Sequence, residues 1–135
     1  YYIVHVGDSR IYQMSSAVQQ LTADQTLVAR EIAAGRLTPE QAETDSRRSV
    51  LLQCIGASPV VEPDFVAGDI QAGATYMICS DGFRHKISND EMMSKIGPAA
   101  CGTEAEMEDG CKFLTELVKY RKETDNITVV LIKTE

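Results

Sequence analysis

The sequence predicts an α+β domain with a largely antiparallel sheet. Short apolar segments follow one another with only brief turns between them, which is typical of antiparallel neighbours. Two longer helical patterns come late in the chain and are followed by a last apolar segment, and this mixed order favours α+β over α/β. The 135 residues, 44% of them hydrophobic, suffice for one domain with its own core.

The first segments predict a hairpin followed by a short strand. Residues 1–6 and 10–14 are short, largely apolar segments separated by Gly7, Asp8 and Ser9. Glycine followed by small polar residues is typical of a hairpin turn, so we expect these two strands to pair. A polar turn and a third, shorter strand are expected within residues 15–21.

Residues 22–49 predict a mostly exposed helical insertion. The Thr22-Ala23-Asp24-Gln25 segment has the spacing of a capping box, and Gly35 is a natural end for the helix that it would begin. A second helix is expected to start at Thr38-Pro39-Glu40-Gln41, with Pro39 in its first turn. The first helix would carry Leu27, Val28 and Ile32 on one side, whereas the second is short and weakly apolar, so we expect most of this insertion to lie outside the core.

Three more strands are expected around the middle of the chain. Val50–Ile55 and Val60–Val66 are apolar, although Pro63 indicates an edge or an irregularity in the second of them. The third is the stretch ATYMICSDGF, residues 74–83, an apolar run that ends in a tight turn with Asp81 at its tip. A final strand is expected at residues 127–132.

Two helices are expected between these last strands. The Ser88-Asn89-Asp90-Glu91 capping box begins one that stops at Gly97 and Pro98. Thr103-Glu104-Ala105-Glu106 begins a longer one to about Arg121, with Gly110 in its interior costing about 1 kcal/mol relative to alanine. Four residues of the longer helix form its expected buried stripe. They are Met107, Cys111, Leu114 and Val118.

Composition limits the classes of function. The formal net charge is −7, so binding of nucleic acid through a basic face is not expected. No apolar run reaches the roughly 20 residues that span a membrane, and no signal peptide is visible. The four cysteines contain no C-x-x-C pair and are expected as buried free thiols, which favours a reducing, cytoplasmic location.

Three aspartates stand at the ends of predicted strands. Asp8 and Asp81 follow their strands, whereas Asp125 precedes the last one. If the strands of Asp81 and Asp125 pair antiparallel, the two carboxylates lie at the same edge. Clustered carboxylates without histidine or cysteine favour a hard cation such as Mg²⁺ or Mn²⁺. Ordinary turn formation explains each aspartate equally well when it is taken alone.

Other polar residues have simpler interpretations. Arg47 and Arg48 are the only adjacent arginines and are interpreted as a solvated pair, with contact to a phosphorylated substrate as the alternative. His5 is expected to be packed within its strand, and His85 to lie in a surface loop close to Asp81. No Ser-His-Asp spacing supports a serine nucleophile.

Five motifs occur in an order that resembles the bacterial metal-dependent protein phosphatases of the type 2C (PPM) family. The resemblance extends over almost the whole chain. The five motifs are Val6-Gly7-Asp8-Ser9-Arg10, Leu21-Thr22-x-Asp24-Gln25, Val50 to Gly56, Ile78 to Phe83 and Asp125 to Val130.

The resemblance implies a β-sandwich flanked by helices and a centre of two Mg²⁺ or Mn²⁺ ions, with a third held more weakly. Asp81 and Asp125 match ligands of the two-metal centre, and Asp8 matches the ligand of the third ion. Gly82 and Asn126 would support these turns, as would Ser9 beside Asp8. Residues 22–49 match the family's flap, a variable segment that influences substrate choice.

Family motifs that normally come first are absent from this sequence. They are an Arg…Asn-Glu-Asp segment and an Asp-Gly-x-Gly-Gly segment, which supply the phosphate-binding arginine and further metal ligands. We therefore expect residues 1–135 to be the C-terminal portion of a catalytic domain, with its N-terminal strands missing. Weak Mn²⁺ binding, little activity alone and self-association through uncovered sheet edges are expected.

The resemblance implies a hydrolase acting on phosphoserine and phosphothreonine in proteins. Its partners would be phosphorylated proteins and a cognate serine/threonine kinase of a cytoplasmic signalling system, with no nucleic acid and no membrane. Two alternatives stay open at this point. One is a non-catalytic phosphatase-like module for interaction or sensing, and the other is a plain α+β interaction domain.

Overall fold

The computed structural model describes residues 1–135 and contains six strands and five α-helices. The strands are β1 (Tyr2–His5), β2 (Arg10–Met14), β3 (Val18–Gln20), β4 (Asp64–Ala67), β5 (Thr75–Cys79) and β6 (Val129–Lys133). The helices are α1 (Leu27–Ala33), α2 (Pro39–Thr44), α3 (Asp81–Arg84), α4 (Asn89–Ile96) and α5 (Glu104–Tyr120), with a 3₁₀ turn at Pro98–Ala100.

The chain forms two compact units. The first contains Tyr1, residues 9–22 and residues 68–135, and the second contains residues 2–8 and 23–67. In the first unit an antiparallel sheet has the strand order β3-β2-β5-β6, and in the second unit β1 pairs antiparallel with β4. The predicted α+β class with antiparallel pairing is therefore confirmed.

The core of the first unit lies between one face of the four-stranded sheet and helices α3 to α5. β5 is buried at four of its five positions, as its apolar sequence predicts. On α5, Leu114 and Val118 are fully buried, whereas Met107 and Cys111 are only partly so. The central cluster is Tyr12, Met14, Met77, Cys79, Phe83, Met92, Ile96, Cys101 and Leu114.

Gly110 allows α4 and α5 to pack closely. A Cβ atom built on Gly110 would lie 2.2 Å from the carbonyl oxygen of Lys95 and 3.0 Å from Cγ2 of Ile96. These distances are too short for any side chain at this position. The glycine that weakens α5 as an isolated helix thus permits its contact with α4.

Three of the four predicted capping boxes are confirmed. Those at Thr38, Ser88 and Thr103 each show both reciprocal hydrogen bonds. The box at Thr22 was wrong, because α1 begins four residues later and Thr26 Oγ1 accepts the amide of Ala29.

The residues of the rejected box have long-range partners instead. Thr22 Oγ1 accepts the amide of Ile11 at 3.1 Å, and Gln25 Oε1 accepts the amide of Gly7 at 2.8 Å. These partners come from distant positions in the sequence, so the local spacing of residues 22–25 does not reveal them.

The predicted hairpin of the first two strands is also wrong. β1 pairs with β4, whereas β2 pairs with β3 and β5, so the two strands belong to different sheets. Gly7 adopts φ +105°, and both its amide and its carbonyl are hydrogen bonded by Gln25. The chain direction therefore changes here without a hairpin.

The predicted strand at Val50–Ile55 does not form. Its backbone contributes only an isolated bridge between Thr26 and Leu51, and most of its side chains are exposed. The next strand, predicted to start at Val60, begins at Asp64, directly after Pro63. Before Pro63, both backbone groups of Glu62 bind the side chain of Gln53, at 2.6 and 2.8 Å, instead of a neighbouring strand.

All four cysteines are free thiols. Cys79 and Cys101 are buried and Cys111 is partly buried, as expected of structural thiols. Cys54 is exposed, contrary to the prediction, because the strand that would have buried it does not form. No helix is both long enough and apolar enough to span a membrane.

Candidate metal site at one end of the four-stranded sheet

The register of the central strands places several polar turns at one end of the sheet. Arg10 at the start of β2 is paired with Cys79 at the end of β5, which is in turn paired with Val129 at the start of β6. Ser9, Asp81 and the turn that carries Asp125 therefore lie at the same end. The prediction that antiparallel pairing brings the Asp81 and Asp125 turns together is confirmed.

Asp81 begins a short helix rather than the tight turn that the sequence predicted. β5 ends at Cys79, and α3 starts at Asp81 with Ser80 as its N-terminal cap residue. The carboxylate of Asp81 accepts the amide of Gly82 through Oδ1 at 2.8 Å. One carboxylate oxygen of Asp81 therefore fixes the start of α3.

Gly82 sets the distance between the two turns. A Cβ atom at this position would lie 2.6 Å from the carbonyl oxygen of Asn126 and 3.2 Å from Cβ of Asp125. The Asp81 and Asp125 turns are thus in direct contact, and a larger residue at position 82 would separate them.

Ser80 joins the same two segments by hydrogen bonds. Its hydroxyl donates to the carbonyl of Asn126 at 2.9 Å and accepts the amide of Thr128 at 3.0 Å. Its backbone amide donates to the carbonyl of Thr128 at 3.0 Å. Sequence reasoning considered Ser80 only as a nucleophile. The sequence did carry a signal for this linking role. Ser80 places a hydroxyl where one strand ends, next to the point where the antiparallel neighbouring strand begins.

The Asp125 turn is held by two carboxylates. Asp125 Oδ1 accepts the amide of Asn126 at 2.7 Å, as Asp81 does with Gly82. Glu123 Oε1 accepts the amides of Thr124 and Asp125 at 2.8 and 3.1 Å. Sequence analysis missed Glu123, although an acidic residue just before a turn commonly accepts its amides.

The electrostatic surroundings of Glu123 favour its ionised form. Burial raises the pKa of the Glu123 carboxyl, but the amides of Asp125 and Thr124 and the nearby His85 and Lys86 lower it by more. The pKa is therefore below its ordinary value. At neutral pH Glu123 is a charged acceptor for both amides.

Asp8 lies in the second unit, in the turn that follows β1. Gly7 precedes it, and the side chain and backbone of Gln25 hold this turn through the amide and carbonyl of Gly7. Gln25 Nε2 also donates to Oδ2 of Asp64 at 2.9 Å. Asp8 is partly buried at the end of this fixed turn.

The arginine pair is exposed on the segment after α2. The guanidinium of Arg47 binds both carboxylate oxygens of Asp45 at 3.0 and 2.7 Å. This side-chain contact, together with the amide of Arg47, lowers the pKa of Asp45 to about 2. The pairing favours the surface interpretation for Arg47, and Arg48 is exposed beside it.

The two histidines have different environments. His5 is buried in β1, and neither of its ring nitrogens has a hydrogen-bond partner within the chain, so it is packed as expected. His85 is exposed and directly follows α3, where its amide donates to the carbonyl of Asp81 at 3.0 Å.

The donor set fits part of a site for a hard cation. Asp81 and Asp125 present carboxylate oxygens on touching turns, which suits Mg²⁺ or Mn²⁺. No three histidine, cysteine, aspartate or glutamate side chains of this chain come together in a way that would hold a metal ion. The chain therefore supplies two neighbouring donors at this place and not a complete coordination shell.

Comparison with known proteins identifies a group of relatives. A protein phosphatase 2C-type protein of Streptococcus pyogenes is 34% identical over 132 residues, which cover 97% of this chain and 52% of the relative. The S. agalactiae serine/threonine phosphatase superposes with a TM-score of 0.86 at 32% identity, covering 99% of this chain and 54% of that structure. No protein-family model matches the chain.

A further solved structure contains metal. It is the catalytic domain of the serine/threonine protein phosphatase PstP in complex with two manganese ions, with 30% identity and a TM-score of 0.77 over 96% of this chain and 51% of that structure. The chain spans about half the length of the relatives described here, a share consistent with the expected C-terminal portion. In sequence and in fold, the chain is thus similar to serine/threonine phosphatases of the protein phosphatase 2C type.

Proposed function

We propose that this chain forms part of the catalytic domain of a metal-dependent protein serine/threonine phosphatase. The observation that carries the proposal is the direct contact of the Asp81 and Asp125 turns, where β5 ends and β6 begins. The relatives are serine/threonine phosphatases, and one of them was solved with two manganese ions. No observation favours the non-catalytic alternative.

In this proposal Asp81 and Asp125 hold a pair of Mg²⁺ or Mn²⁺ ions, and Asp8 contributes to a third, weaker site. Gly82 keeps the two turns in contact, Asn126 fixes Asp125 and Ser9 supports Asp8. Such ions, when bound, supply the positive charge that activates water toward a phosphate ester. The chain alone has little activity, because Asp81 and Asp125 do not complete a coordination shell.

The substrates in this proposal are proteins phosphorylated on serine or threonine, including those of a cognate kinase in the bacterial cytoplasm. Residues 22–49 serve as a flap that influences which substrate is accepted. The exposed helix α2, and the exposed Arg48 after it, support this role. Arg47 is bound to Asp45 and would contact a substrate phosphate only by giving up that ion pair.

Calorimetric titration with Mn²⁺ tests the metal site. We expect weak but saturable heat for the unaltered chain and none for Asp81→Asn, which keeps the shape of the side chain and removes its charge. Asp90→Asn is the matched control, because Asp90 is an exposed carboxylate in the first turn of α4. Equal heats for the unaltered chain and Asp81→Asn would contradict the proposal.

A phosphopeptide assay tests the statement about activity. Phosphate release from a phosphothreonine peptide is expected to stay near background with the chain alone, with or without Mn²⁺. Robust release that depends on manganese would show that these 135 residues suffice for catalysis.

A further inference from the structure

The end of α5 leads directly into the turn that carries Asp125. Lys122 adopts φ 63°, and the amide of Glu123 returns to the carbonyl of Val118 at 3.0 Å. This closing contact fixes the backbone of Glu123 against the last turn of α5. Its partly buried carboxylate then accepts the amides of Thr124 and Asp125.

We propose that Glu123 is a positioning residue for Asp125. Its two hydrogen bonds fix the backbone of an otherwise exposed turn, and they thereby set the direction from which the Asp125 carboxylate approaches the Asp81 turn. This inference rests on the proposed metal-dependent function, because the position of Asp125 matters to a cation only if Asp125 binds one.

The contacts of Glu123 distinguish positioning from direct metal binding. One carboxylate oxygen, Oε1, is occupied by two backbone amides. Glu123 also does not combine with Asp81 and Asp125 into a three-residue metal-binding group. His85 and Lys86, from the loop after α3, lie near enough to lower the pKa of Glu123. The Glu123 carboxylate thus interacts with the backbone of the turn and with this loop.

Glu123 restrains the part of this turn that Ser80 does not bind. Ser80 holds Asn126 and Thr128, whereas the amides of Thr124 and Asp125 are held by Glu123. Residues 124–126 are exposed and lie between the end of α5 and the start of β6. Ordering a free backbone costs about 1–2 kcal/mol per residue at room temperature. A carboxylate that holds two successive amides reduces the disorder that cation binding would otherwise have to remove.

Paramagnetic broadening by Mn²⁺ tests the inference, because it detects weak binding and does not depend on activity. In the unaltered chain we expect the NMR amide signals of Gly82 and Asn126 to broaden first. In Glu123→Ala the same broadening should need about 10-fold more Mn²⁺, the lower end of the range for loss of a residue that orients a ligand. Glu123→Gln keeps the acceptor oxygen and should behave like the unaltered chain.

Glu116→Ala is the charge-matched control, since Glu116 is an exposed acid on α5 that pairs with Lys119. If it weakens Mn²⁺ binding as much as Glu123→Ala, or if Glu123→Gln behaves like Glu123→Ala, the effect is one of charge and the positioning role is wrong. Unchanged binding in Glu123→Ala also overturns it, while the proposed function stands. If no specific broadening occurs in the unaltered chain, the result contradicts the proposed metal-dependent function and therefore also the positioning role of Glu123.

Discussion

Asp45, Asp81 and Asp125 each lie near the point where a helix or strand begins or ends, and they differ in their hydrogen-bond partners. Asp45 has both carboxylate oxygens bound by the guanidinium of Arg47. Asp81 and Asp125 each accept the next amide in the chain with one oxygen, and their turns are in direct contact. Sequence composition treats all three alike, whereas the structure binds both oxygens of Asp45 to an arginine and brings the turns of Asp81 and Asp125 together.

Gly82→Ala should disturb the candidate site directly. The new methyl group would overlap the carbonyl oxygen of Asn126, which is backbone and yields only if the whole Asp125 turn moves. We expect the free energy of unfolding to fall by about 1–3 kcal/mol, as for other overpacked positions. Mn²⁺ binding should fall as well, measured by calorimetry under conditions where the variant is folded.

Gly102→Ala is a suitable control for this change. Its methyl group would meet only the carboxylate of Glu106, in the capping box of α5, and no backbone atom. A variant at position 82 that binds Mn²⁺ as the unaltered chain does would show that the spacing of the two turns is unimportant for the ion.

At the scale of elements, local signals predicted those elements that depend on local contacts. The capping boxes at Thr38, Ser88 and Thr103 specify their helices because each box is satisfied within four residues. The antiparallel pairing of β5 and β6 was expected from their order, and with it the meeting of Asp81 and Asp125.

Elements that depend on distant partners were mispredicted. The turn at Gly7 looks like a hairpin, but it is held by Gln25, whose own position is fixed by Leu52 and Asp64. Val50–Ile55 has the composition of a strand, yet no strand of the chain pairs with it. Glu123 was missed for a different reason, because its role became visible only once the end of α5 was known.

Glu91 connects the start of α4 with the end of α5, and this connection should depend on pH. Its carboxylate accepts the amide of Ser88 and binds the guanidinium of Arg121 at 2.8 and 2.5 Å. The hydrogen bonds from Arg121, and then that from Ser88, lower the pKa of Glu91 from 4.5 to about 2. A carboxyl whose pKa is lower in the folded state stabilises the fold above its unfolded pKa.

The variant Glu91→Gln should therefore unfold at a lower temperature than the unaltered chain at pH 7. The difference should shrink as the pH falls from about 4.5 toward about 2, where Glu91 itself becomes protonated. Circular dichroism melts over this pH range measure it. Glu108→Gln is the control, since its ion pair with Lys112 is far more exposed. A difference that stays constant with pH would exclude the ion pair as its cause.

At the scale of the whole molecule, the two-stranded sheet of the second unit exposes large apolar side chains on one face. That sheet has only two strands, so each strand keeps one free edge. On its exposed face Val4 lies directly opposite Phe65, and Tyr2 is next along β1, with exposed fractions of 66%, 76% and 93%. Contiguous exposed apolar side chains beside free strand edges favour association with another polypeptide.

We therefore expect the chain alone to self-associate as its concentration rises, measured by light scattering. Replacing both Val4 and Phe65 by threonine, a β-branched residue suited to a strand, removes apolar area, so it should shift association to higher concentration. Tyr120→Thr is the control, because Tyr120 is a large exposed side chain at the end of α5. A monomer at all concentrations would contradict the prediction. Equal association of the double variant would place the contact outside the β1–β4 sheet.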